Sequence, residues 1–80
     1  MIHMEGKSRL EPEELLGRLK KFFGKEGQGL KLTEENASCL TFTGGGGYVT
    51  ASVCLEGKLT KVDLVSREWE YQVKEFLSQI

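Results

Sequence analysis

The feature that most constrains this chain is a series of alternating segments through its middle. Leu30 to Glu34, Ser38 to Thr43, Tyr48 to Glu56 and Leu59 to Val65 each alternate apolar and polar residues. A period of two sends neighbouring side chains to opposite faces of a strand. The segments are separated only by turn-forming residues: Glu35-Asn36, Gly44 to Gly47, and Glu56-Gly57-Lys58. Connections this short join antiparallel neighbours, because a parallel crossover needs about a dozen residues. The pattern therefore predicts an antiparallel meander. Its inward residues are Leu40 and Phe42, then Val49, Ala51, Val53 and Leu55, then Val62 and Leu64.

Two segments with helical spacing flank the meander. Glu11-Pro12-Glu13-Glu14 reads as a helix start, since proline at the first helical position loses no needed hydrogen bond. Leu15, Leu16, Leu19, Phe22 and Phe23 follow on one face, acids precede bases as the helix dipole favours, and Gly24 is the expected cap. At the other end Trp69, Val73, Phe76, Leu77 and Ile80 recur at helical spacing. The spacing predicts a helix over Arg67 to Ile80, with Ser66 as its N-cap. Ile2 to Leu10 alternates weakly and reads as a short first strand. The predicted fold is α+β, one domain over residues 1–80, in the order (β)-α-β-β-β-β-α. It is an antiparallel sheet of four to five strands with two helices on one face.

Composition narrows the function classes. Eighty residues bury roughly 60–65% of the unfolded surface, enough for one small core. A net charge of -1 argues against a basic nucleic-acid-binding domain. No apolar run approaches the roughly 20 residues of a membrane span, and the N-terminal residues lack the pattern of a secretory signal. The expectation is a cytoplasmic protein with reduced thiols, no membrane and no nucleic-acid partner.

The outward positions of the central hairpin stand out. They are Cys39, Thr41 and Thr43 on one strand and Tyr48, Thr50, Ser52 and Cys54 on the next. None is charged, although 29% of the chain is. Neutral, β-favouring residues pair well across strands, and they also suit a covered surface. With Gly45 and Gly46 at its rim, this face is the expected interface of a homodimer. Two helices cover only one sheet face, so the chain is one layer short.

Other motifs carry less chemistry. The glycines resemble no phosphate loop, because a strand follows them and no Lys-Ser or Lys-Thr does. They read as a four-residue hairpin loop. If Thr43 pairs with Tyr48, Cys39 faces Ser52. Cys54 then lies on a diagonal about 7–8 Å away, too far for an unstrained disulfide. Two thiols and His3 make no metal-ligand spacing, so no metal and no cofactor are expected. No arrangement supplies a base for a catalytic residue, and none is assigned. Two alternatives stay open. One is a small apolar ligand held between the last helix and the sheet near Phe42 and Trp69. The other is a thiol-dependent enzyme.

The order of elements is similar to two known plans. The extended start, the helix opening at Glu11-Pro12-Glu13-Glu14, the meander and the helix from Arg67 to Ile80 resemble a shortened START-like, or helix-grip, domain. That resemblance implies a sheet gripping a C-terminal helix, often over an apolar ligand. The order also resembles one half of a TATA-binding-protein-like fold, and that of small uncharacterised proteins. The sequence lacks the basic residues and wedge phenylalanines that a DNA-reading sheet face of that kind carries.

Overall fold

A computed structural model describes all residues, 1–80. The elements are β1 (Ile2–Ser8), α1 (Pro12–Phe23), β2 (Lys31–Glu35), β3 (Cys39–Gly44), β4 (Gly47–Glu56), β5 (Leu59–Arg67) and α2 (Glu70–Leu77). All five strands form one antiparallel sheet in the order β1-β5-β4-β3-β2. The first strand thus lies beside the last, and α1 carries the chain from one edge of the sheet to the other.

The alternating pattern determines the two faces. Leu40, Phe42, Val49, Ala51, Val53, Val62 and Leu64 are buried, as expected, and meet Leu15, Leu19 and Phe23 of α1 and Val73 and Phe76 of α2 in one core. Four phenylalanines tie the layers together. Phe23 stands 5.7 Å from Phe42 and 5.9 Å from Phe76, ring centre to ring centre, and Phe22 lies 5.5 Å from Phe76. Aromatic contacts of this kind add about 0.5–1.5 kcal/mol each beyond the area they bury.

Helix α1 begins as the sequence indicates, with Pro12 in its first turn and Glu13 and Glu14 beside the positive end of the dipole. Gly24 ends it in an extended conformation, its N–H donating to Lys20 O over 2.9 Å. A polar clamp fixes the approach to this helix. Thr60 Oγ1 donates to Leu10 O over 2.7 Å, and Leu10 N donates to Ser8 Oγ over 3.1 Å.

Several expectations need correction. Ser66 does not cap α2. Strand β5 runs on to Arg67, so Ser66 points into the core, fully buried, and its hydroxyl has no partner. Glu68 then turns the chain with φ 70°, and α2 starts at Glu70 behind Trp69. Leu55 lies on the inward side of β4 but is 67% exposed, whereas Val53 is 5% exposed. The cross-strand partner of Leu55, Thr60, is only 2% exposed and bonded to Leu10, so at this level the β5 side of the hairpin is covered and Leu55 is not. The glycine loop is two residues long, not four, because Gly44 and Gly47 pair within the ladder. Gly45 and Gly46 take φ of 58° and 81°, the left-handed values that suit a tight hairpin with the sheet's twist.

Candidate interaction surface

The register assembles the outer face row by row. Thr43 faces Tyr48, Thr41 faces Thr50, and Cys39 faces Ser52. Beyond them β5 adds Arg67 beside Tyr48, Val65 beside Thr50, Asp63 beside Ser52, and Lys61 beside Cys54. Strand β1 completes the rows with His3 beside Val65, Glu5 beside Asp63, and Lys7 beside Lys61. Every outward residue named for β3 and β4 therefore shares one continuous surface.

This surface has a neutral centre and charged flanks, for β2 places Lys31 beside Thr43 and Glu34 beside Thr41 on the other side. On β3 and β4 the side chains satisfy one another. Thr41 Oγ1 and Thr50 Oγ1 lie 3.4 Å apart, and Cys39 Sγ lies 3.3 Å from Ser52 Oγ. Both cysteines are free, Cys39 half-buried and Cys54 exposed. The polar neighbours of the Cys39 thiol are the hydroxyls of Ser52 and Ser38. On β5 and β1 the surface is mostly charged and mostly paired within the chain, although Arg67 has no ion-pair partner. Lys61 Nζ is 3.3 Å from Glu5 Oε2, Lys7 Nζ is 3.2 Å from Glu56 Oε1, and His3 Nε2 is 3.0 Å from Asp63 Oδ1. The hydrogen bond from Lys61 to Glu5 holds the Lys61 ammonium above its ordinary pKa of 10.5, and the nearby charges of Asp63, Glu5 and Glu56 add to the effect.

The glycine turn at the rim is largely used by the fold itself. Trp69 Nε1 donates to Gly44 O over 2.9 Å. A Cβ on Gly45 would come within 2.8 Å of the Trp69 ring. Gly47 lies against the backbone of Arg67. Gly46 alone of these four has open space where a side chain would stand.

The structure does not bring Phe42 and Trp69 into one cavity. Phe42 is fully buried against Phe23, while Trp69 lies over the glycine turn. A hollow of about 570 Å³ lies between the C-terminal ends of the helices. Phe22, Phe76, Ile80, Arg18 and Lys21 contribute to its walls.

Sequence reasoning missed one grouping. His3, Glu5 and Asp63 bring one ligand atom each to within 4.8 Å of one another. His3 and Glu5 sit two residues apart on β1, which is the visible part of the signal. Asp63 joins them only through the β1–β5 pairing. No helix of the protein is long and apolar enough to cross a membrane. Compared with known protein families and with curated proteins, the chain matches none.

Proposed function

We propose that this protein is a non-enzymatic interaction domain that works as a homodimer through the outer face of β3 and β4. The observation that carries this reading is the contrast between the centre of the outer face and its flanks. Seven outward positions, Cys39, Thr41, Thr43, Tyr48, Thr50, Ser52 and Cys54, are neutral. Most ionic groups beside them on β1 and β5 are paired within the chain, Arg67 excepted. A neutral strip suits a neutral partner, and a second copy presents that same strip; the free charges at its edges, Lys31 and Glu34 on β2 and Arg67 on β5, fall at the rim.

The strip is two strands wide, about 10 Å at the usual strand spacing, so it is smaller than the ~800 Å² that each partner buries in a standard interface. Small threonine and serine side chains let two sheets approach at the usual spacing of about 10 Å. Their modest apolar area suits a dissociation constant in the micromolar range rather than a permanent dimer. The two free thiols suit a reducing, cytoplasmic setting.

A charge placed at the centre of the strip tests this. Thr50→Lys puts an ammonium opposite Thr41 without touching the core. Sedimentation equilibrium should show wild type as a dimer near 1 mM, on the order expected for a micromolar interface, and Thr50→Lys as a monomer with an unchanged circular dichroism spectrum. A dimer of equal strength in the variant would overturn the assignment of the face.

A further inference from the structure

The geometry points to a binding site for one divalent first-row transition-metal ion at His3, Glu5 and Asp63, on the β1–β5 half of the outer face. It rests on strand pairing and donor chemistry, and it is independent of the dimer. Glu5 and Asp63 are direct cross-strand partners, and His3 stands two residues from Glu5 on the same face. Seven consecutive pairs lock β1 to β5, so the three Cα positions are fixed before any ion arrives.

The donor atoms are one imidazole nitrogen and two carboxylate oxygens, all within 4.8 Å of each other. One separation, His3 Nε2 to Asp63 Oδ1, is already 3.0 Å. Ligands bound to one zinc-sized ion at about 2.1 Å stand roughly 3.0–3.4 Å apart. His3 and Glu5 are exposed, and Asp63 is half-buried. A rotamer adjustment of about 1 Å, well within side-chain freedom on an open surface, closes the remaining gap. One nitrogen with two oxygens suits zinc, cobalt or nickel, with water completing the shell. It suits calcium poorly, since that ion takes 6–8 oxygen ligands.

One donor already has a cation beside it, for the Lys61 ammonium contacts Glu5 Oε2 at 3.3 Å. A metal ion drawing on the Glu5 carboxylate competes with it, so Lys61 acts as a built-in competitor. Removing that competitor should strengthen metal binding, whereas removing a donor should weaken it. Adventitious binding to scattered surface carboxylates would show neither effect in this pattern.

The test is calorimetric titration of untagged protein with Zn²⁺ and Co²⁺, in a Cys39→Ser/Cys54→Ser background that removes thiol ligands. Co²⁺ also reports its coordination through visible absorption. The expected result is one ion per chain. His3→Gln or Asp63→Asn should weaken it at least tenfold, Lys61→Met should tighten it several-fold, and Ca²⁺ should bind far more weakly. The proposal is overturned by absence of Zn²⁺ and Co²⁺ binding at millimolar metal. It is equally overturned if His3→Gln and Asp63→Asn bind as well as the parent, or if Ca²⁺ competes on equal terms.

Discussion

At the scale of single residues, Ser66 is the clearest mismatch between chemistry and position. Its hydroxyl is fully buried without a partner. Leaving a polar group in that state costs about 1–3 kcal/mol, while an apolar replacement of similar shape removes the penalty. Ser66→Ala should therefore raise stability by about 1 kcal/mol in urea denaturation; a loss of stability would mean that the hydroxyl has a partner. Lys61 gives a pH prediction. Its proton is held more tightly in the folded chain than in the unfolded one. The resulting stabilisation is complete below pH 10.5 and is lost as pH rises through the higher folded value. Replacing Lys61 with methionine should remove that alkaline component from the pH profile of stability, which chemical denaturation between pH 9 and 12 (roughly the lysine range) can follow.

At the scale of elements, the β3–β4 turn and α2 behave as one unit. The indole of Trp69 donates to Gly44 O and leaves no space for a side chain on Gly45. Gly45→Ala meets both the ring and a backbone φ of 58°, whereas Gly46→Ala meets only a φ of 81°. Thermal unfolding should thus show Gly46→Ala losing about 1 kcal/mol and Gly45→Ala losing clearly more. Equal losses would mean that the ring does not rest on the turn. Phe76→Ala, which removes the α2 member of the phenylalanine cluster, should cost about 3–5 kcal/mol. A near-zero effect would mean that α2 is not docked.

The same elements show how far a sequence discloses its fold. Alternation assigned Phe42, Val49 and Val62 to the core because strand faces follow from a period of two. It failed at Leu55 because burial also needs a layer above the strand, and the cover at that level lies over its partner Thr60 instead. Ser66 looked like a helix cap because serine before a helical pattern usually is one. The deciding factor was the length of β5, which pairing with β1 and β4 extends to Arg67. The neutral face was legible for the same local reason as the core. The His3–Glu5–Asp63 group was not, since it joins residues sixty positions apart through a strand pairing that no local pattern encodes.

At the scale of the whole molecule, one sheet face is covered by two helices and the other by nothing in the chain. The open face separates into a neutral strip on β3 and β4, a mostly paired ionic strip on β5 and β1, and the free charges of Lys31 and Glu34 on β2. That division is the central physical fact of the surface. It makes the neutral strip the place where burial would desolvate the fewest charges. Cys54 lies in that strip and is exposed in the single chain, beside the half-buried Cys39. The most direct measurement is the rate at which an uncharged thiol reagent labels Cys54 as protein concentration rises. The homodimer predicts that labelling slows in step with the increase in sedimentation mass. Labelling at one constant rate, from micromolar to millimolar protein, would contradict it.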